Sequence, residues 1–271
     1  ERAGIYVPGG TAPLVSTVLM GVLPAKAAGV EHIYMCTPAK AGRVDPAVLV
    51  AAKECGAEAV FKAGGAQAIA ALAYGTESVP KVDVIAGPGN IYVTLAKKEV
   101  YGAVGIDMLA GPSEILIIAD NKQDPVFVAA DVLSQAEHDR LARALLLTDD
   151  AAFAQTVAAE VDRQLALLPR KDIAAYSVEH AGGIILVKDL HEACDLANQI
   201  APEHLELAAE NCEELLPKIK NAGAVFMGSY TPEPVGDYFA GPNHTLPTGG
   251  TARFFEVLNQ DIFLRKMSVI R

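Results

Sequence analysis

Short runs rich in valine and isoleucine recur along the chain, each followed by a longer stretch of helical period, and this alternation constrains the fold more than any other feature. A short apolar run without polar alternation belongs in a strand buried on both faces. The helical stretch between two such runs is the crossover that makes the strands parallel. Strands are expected at about Gly4 to Val7, His32 to Cys36, Ala57 to Lys62 and Val82 to Ala86. Helices are expected between and after them, at about Pro13 to Ala28, Pro46 to Cys55, Ala66 to Tyr74 and Asn90 to Tyr101, with Pro24 bending or ending the first.

After Ala110-Gly111-Pro112-Ser113 the alternation starts again. Strands are expected at Glu114 to Ala119, Ala144 to Thr148, Gly183 to Val187, His204 to Leu207 and Ala222 to Phe226. Helices are expected at Pro125 to Glu137, Ala151 to Leu168, His191 to Ile200 and Cys212 to Ile219. Each side of Ser113 has strands enough for its own sheet. The expected fold is therefore α/β with two Rossmann-like domains, each a mainly parallel sheet with helices on both faces. Residues 1–113 form the first, residues 114–258 the second, and residues 259–271 begin a further segment. From Gly228 to Thr251 the chain is rich in Gly and Pro without periodicity, and so long an irregular stretch is usually functional or disordered.

With 271 residues, 51% of them hydrophobic, the chain is long enough for such cores. Its 22 basic and 33 acidic residues give a net charge of -11, which offers no general attraction to nucleic acid or to an anionic membrane. Cys36, Cys55, Cys194 and Cys212 make no C-x-x-C pair and read as buried thiols of a reducing cytosol. No apolar stretch approaches the roughly 20 residues of a membrane span, so a cytoplasmic protein is expected. The first residue is not Met and the next few read as a buried strand, which suggests a start inside a longer protein.

In an open α/β sheet, ligands sit beyond the carboxyl ends of the strands. The turns there are Tyr6-Val7-Pro8-Gly9-Gly10, Gly64-Gly65-Ala66-Gln67, Gly87-Pro88-Gly89-Asn90 and Gly111-Pro112-Ser113-Glu114. Their glycines let backbone approach a nucleotide or simply make tight turns. The G-x-G-x-x-G fingerprint is not met, since Asn90-Ile91-Tyr92 follows Gly87-Pro88-Gly89. Gln135 and His138 share one helix face and could chelate a metal or mark a solvated helix end. Asp237 would add an oxygen ligand suited to zinc, which usually takes four. Glu203 and His204 set a carboxylate beside an imidazole, either as two bases acting in turn or as structural or exposed neighbours. His32, His180 and His191 lie on or beside regular elements and read as structural.

Gly4 to Gly10, Gly64 to Ala71, Gly87 to Asn90, Ala110 to Glu114, Ser134 to His138, Pro202 to Leu205 and Gly236 to Thr248 stand in an order and spacing that resembles the histidinol dehydrogenase family. Ser134-Gln135-Ala136-Glu137-His138 and Gly236-Asp237-Tyr238-Phe239-Ala240-Gly241-Pro242-Asn243-His244 are the most specific runs. The resemblance implies a cytoplasmic homodimeric oxidoreductase of histidine biosynthesis. It would convert L-histidinol through histidinal to L-histidine while reducing two NAD. It implies that Gln135, His138 and Asp237 are zinc ligands, and that they bind substrate together with Ser113, His204 and His244. It further implies His204 as the base for the hydroxyl proton, Glu203 as activator of water, and Tyr6, Gln67 and Asn90 as the NAD site. The family's N-terminal region and its C-terminal segment, which brings a Glu and the fourth zinc ligand to the partner subunit, have no counterpart here. Weak zinc binding and no activity are therefore expected of this chain alone. Rival expectations are a paralogous NAD and zinc dehydrogenase for another small polar alcohol, an inactive binding module, and a zinc hydrolase with Glu203 as base.

Overall fold

A computed structural model describes residues 1–9 and 15–271. Residues 10–14, which include Gly10 of the first glycine turn and Pro13 at the expected start of the first helix, lie outside the described residues.

The chain forms two compact units. The first takes Glu1–Gly111 together with Asn243–Thr245 and Leu258–Arg271, and the second takes Pro112–Pro242 with Leu246–Val257. His244 and the terminal segment, grouped elsewhere by the sequence reading, thus belong with the first unit.

The first unit runs β1 (Arg2–Tyr6), α1 (Val15–Ala27), β2 (His32–Cys36), α2 (Pro46–Cys55), β3 (Ala59–Phe61), α3 (Gly65–Tyr74), β4 (Val84–Ala86), α4 (Ile91–Val100) and β5 (Gly105–Ile106). All its strands are parallel, in the spatial order β3-β2-β1-β4-β5. That is the doubly wound arrangement, with its switch point between β1 and β4.

The second unit contains β6 (Glu114–Ala119), α5 (Pro125–Ala136), β7 (Arg143–Thr148), α6 (Ala151–Leu165), α7 (Lys171–Ala181), β8 (Gly183–Leu186), α8 (Leu190–Ile200), β9 (His204–Ala208), α9 (Cys212–Leu215) and β10 (Ala224–Met227). Its parallel strands lie in the order β10-β9-β6-β7-β8, the same winding as in the first unit. One apolar layer joins Ile115, Ile117 and Leu146 to α5 and α6, and another joins Leu116, Ile118, Leu205 and Leu207 to α8.

Side-chain caps start the helices where the sequence supplies them. Asp45 and Asp124 each accept a first-turn amide ahead of a proline at the first helical position, and Asp150 and Asp189 cap α6 and α8. Pro24 does not end α1, which continues to Ala27. Proline has no N–H to give to the carbonyl of Met20 one turn earlier, and the side-chain amide of Asn243 donates to that carbonyl instead, at 2.8 Å.

The helix α7 and the two-residue strand β5 were not expected, nor were the short helical turns Glu233–Val235, Gly236–Ala240, Thr251–Arg253 and Gln260–Phe263. The expected helix to Leu168 stops at Leu165, and the one to Ile219 breaks at Leu215 into a 3-10 turn containing Pro217. All four cysteines are free thiols. Cys36, Cys55 and Cys194 are buried and Cys212 is half-buried. Burial pushes the Cys36 thiol up to about 11. No helix of the described residues is long and apolar enough to cross a membrane.

Candidate active site

Side-chain parity on β9 builds the site of the second unit. His204 pairs in register with Ile115 and Glu206 with Ile117, so both project to the sheet face that α5 covers, whereas Leu205 and Leu207 fill the opposite layer. An imidazole and a carboxyl therefore occupy positions where this architecture normally places aliphatic side chains. Glu203, His204 and Glu206 are all buried. His204 opens β9 and lies on the sheet face, at the amino end of its strand.

His204 is oriented by backbone. Its Nδ1 lies 3.0 Å from the carbonyl oxygen of Glu114, which can only accept, so Nδ1 carries the proton and Nε2 is the basic nitrogen of the neutral ring. Nε2 faces Glu233 Oε1 at 3.8 Å. Ligand atoms of His204, Glu233 and Asp237 all lie within 4.8 Å of one another, an arrangement able to take a cation. Glu233 is pushed up to about 8, first by burial and then by the adjacent Asp237 carboxylate.

Glu203 accepts the backbone N–H of Glu114 at 2.9 Å, and its other polar neighbours are the Ser113 hydroxyl and the His204 ring at 3.7 Å. Burial holds its carboxyl well above the usual range, and the hydrogen bond from the Glu114 amide only partly offsets this. Asp131 of α5, half-buried, and the buried Glu206 form a second carboxyl pair within hydrogen-bonding reach. Both are raised, chiefly by burial, Asp131 to about 6. Glu206 also accepts the backbone N–H of Glu233 at 2.8 Å.

Gln135 is almost fully buried, and neither its amide oxygen nor its nitrogen has a hydrogen-bond partner among the described residues. Such an amide costs about 1–3 kcal/mol unless something engages it. His138 lies exposed on the turn after α5, its carbonyl taking a bond from Arg170, and is not part of the cluster around Asp237. His244 belongs to the first unit, with a buried Nε2 that has no hydrogen-bond partner among the described residues.

In the first unit the glycine turns meet at the carboxyl end of the sheet. The Tyr6 hydroxyl accepts the Gly65 N–H at 3.0 Å, tying the end of β1 to the start of α3. A Cβ added to Gly87 would stand 2.1 Å from the Tyr6 carbonyl oxygen, and φ there is +117°, so only glycine suits the position. Asn90 caps α4 by accepting from Tyr92 and Val93, while α3 starts at Gly65 with no side-chain cap. Gln67 is exposed in the first turn of α3. An uncapped first turn beside a switch point favours an anionic group.

Sequence reasoning did not single out Glu114, Asp131, Glu206 or Glu233 as site residues. Glu206 carried a readable signal, a lone carboxylate inside the apolar strand Leu205-Glu206-Leu207-Ala208.

Two doubly wound parallel sheets in one chain make an α/β fold that other solved structures share. Gamma-glutamyl phosphate reductase of Thermotoga maritima shares this fold at a TM-score of 0.56 and 12% identity, over 100% of this chain and 72% of that one. More specifically, the histidinol dehydrogenase family profile matches residues 1–271, and the chain belongs to that family. It is 58% identical to the histidinol dehydrogenases of Carboxydothermus hydrogenoformans and Geobacter metallireducens, over 100% of its own length and 64% and 62% of theirs. The crystal structure of histidinol dehydrogenase from Elizabethkingia anophelis superposes at a TM-score of 0.95 with 48% identity, over 98% of this chain and 62% of that one. The chain thus spans less than two thirds of these relatives.

Proposed function

We propose that the protein to which this chain belongs oxidises L-histidinol to L-histidine through histidinal, reducing two NAD in succession with zinc bound. The observation that carries the reading is the His204 ring, buried and fixed by the Glu114 carbonyl so that its basic nitrogen faces the Glu233 and Asp237 carboxyls, with Glu203 adjacent.

By donor chemistry Gln135, with a buried amide oxygen that nothing else engages, and Asp237, clustered with His204 and Glu233, suit zinc. His138 lies exposed on the turn after α5 and would have to turn inward to add its imidazole. When bound, zinc supplies a charged template that orients the amine and imidazole of the substrate.

In the first oxidation His204 Nε2 takes the hydroxyl proton while the carbinol carbon gives a hydride to NAD. In the second, Glu203 takes a proton from the water that adds to the aldehyde carbon. The resulting hydrate loses its second hydride to another NAD, so water supplies the second carboxylate oxygen. Such bases are worth about 10²–10⁴ in rate each. Ser113, hydrogen-bonded to Glu203, holds that carboxyl in place and can meet the substrate, and His244 is proposed as a further substrate contact. Tyr6, Gln67 and Asn90 are the proposed NAD contacts, on the switch-point rim of the first unit.

Incubating the full-length protein with L-histidinol, NAD and zinc tests this directly. Two NADH and one histidine per histidinol are expected. An enzyme inert toward histidinol but active on another amino alcohol would overturn the substrate. Dimerisation, a further expectation from the family, is checked by sedimentation.

A further inference from the structure

Lys97 of α4 and Asp107, just after β5, form an ion pair with side chains 2% and 0% exposed. A pair so deeply buried is costly, and packed apolar residues in its place are often as stable or more so. Its neighbours supply a reason for it. Asp107 Oδ2 accepts the Gly87 N–H at 2.8 Å, Lys97 Nζ donates to the Gly87 carbonyl at 3.1 Å, and Asp107 Oδ1, which meets Lys97, also takes the Met108 N–H at 2.6 Å. Both polar groups of one glycine are thus held by the two members of one ion pair.

Gly87 is the first residue of the turn that ends at Asn90. Its φ of +117° and its backbone pressed against the Tyr6 carbonyl leave the turn little freedom. Lys97 lies on the helix that Asn90 caps, so the pair closes a loop from β4 through the turn into α4 and back. Apolar replacements would leave the Gly87 N–H and carbonyl buried without partners, and the turn would relax away from Tyr6.

We infer that Lys97 and Asp107 are positioning residues for the dinucleotide, holding the Gly87–Asn90 turn in the shape that NAD meets. The inference rests on the proposed NAD site of the first unit. Neither side chain touches the cofactor; both act through the backbone of Gly87.

The test uses the full-length protein with Asp107→Asn, which keeps the shape but loses an acceptor, and the double variant Lys97→Met with Asp107→Leu, which removes the pair without stranding a charge. NAD alone is titrated calorimetrically, L-histidinol binding is measured separately, and kcat and KM are determined. The expected result for the double variant is NAD dissociation and KM for NAD both raised about ten-fold, with histidinol affinity and kcat at saturating NAD within two-fold of the native protein. Asp107→Asn should move the same way by a smaller factor. NAD affinity within two-fold of native in the folded variants overturns the inference. So does parallel loss of NAD and histidinol binding, or unfolding of both variants, since either would make the pair a requirement of the fold alone. Asn90→Ala separates the two levels. If it leaves NAD affinity untouched, the NAD site itself is misplaced and the inference falls with it; if it weakens NAD while the pair variants do not, only the positioning role fails.

Discussion

The Asn243 side-chain amide donates to the Met20 carbonyl, the group that Pro24 leaves without its helical N–H. An asparagine from the irregular Gly-Pro-rich stretch thus repairs a defect in α1, which accounts for a helix that runs through an internal proline. Asn243→Ala should cost about 1 kcal/mol. In a Pro24→Ala background the backbone N–H restored at that position reaches the Met20 carbonyl, and the cost of losing Asn243 should fall by at least about 0.5 kcal/mol. Urea denaturation of the four proteins of this cycle measures the coupling, and strict additivity would refute the repair.

A second prediction concerns stability against pH. Asp131 and Glu206 are raised by burial, so the folded state holds protons that the unfolded chain releases near the ordinary carboxyl range. Stability therefore falls as pH rises from about 4 through the raised values, because between those limits the folded state binds more protons than the unfolded one. Glu206→Gln keeps an acceptor for the Glu233 N–H and can donate to Asp131. It should raise Tm at pH 8 and flatten the decline that the native protein shows between about pH 4 and pH 7. A native decline retained in full by the variant would place its origin elsewhere.

The ends of β2, α2 and β6 were legible to the residue because each is bounded by strong local signals, such as the Asp45-Pro46 cap and the uninterrupted apolar run from Ile115 to Ala119. β5 pairs only Gly105 and Ile106 with β4, too short to show any period. α7 was hidden because Lys171, Asp172, Glu179 and His180 dilute its apolar face, and because only a short break follows α6. Glu203 and His204 stood out as adjacent ionisable residues after Pro202. The second carboxyl pair did not, since Asp131 meets Glu206 only through the packing of α5 on β9, and no local pattern reports which helix face meets which strand. The return of Asn243 to α1 is long-range in the same way.

The glycine turns make a sharper forecast. Gly87 and Gly42 both have positive φ, but a Cβ at Gly42 meets nothing within 4 Å while one at Gly87 collides with backbone. Gly42→Ala should cost about 1–2 kcal/mol from conformation alone. Gly87→Ala adds overpacking against Tyr6 that cannot relax by a rotamer change, for a total of about 3 kcal/mol or more. Denaturant titration checks the difference, and equal costs would show that the Gly87 turn yields.

The two proposed bases separate by half-reaction. With His204 as the proposed base for the hydroxyl proton, His204→Asn should slow both histidinol oxidation and the reverse reduction of histidinal by NADH, by about 10²-fold or more. In the proposed mechanism Glu203 is needed only where water enters. Glu203→Gln can still accept the Glu114 N–H through its amide oxygen. It should keep NADH-dependent reduction of histidinal while losing oxidation of histidinal to histidine by about 10²–10⁴-fold. Burial raises the Glu203 carboxyl well above its usual range, so its basic form appears only as pH climbs through that raised value. The rate of acid formation should accordingly rise toward alkaline pH in the native protein, and the residual rate in Glu203→Gln should lose that limb. Stopped-flow measurement of each half-reaction across pH distinguishes the roles; a variant that loses both directions equally would make Glu203 a residue of the first step as well.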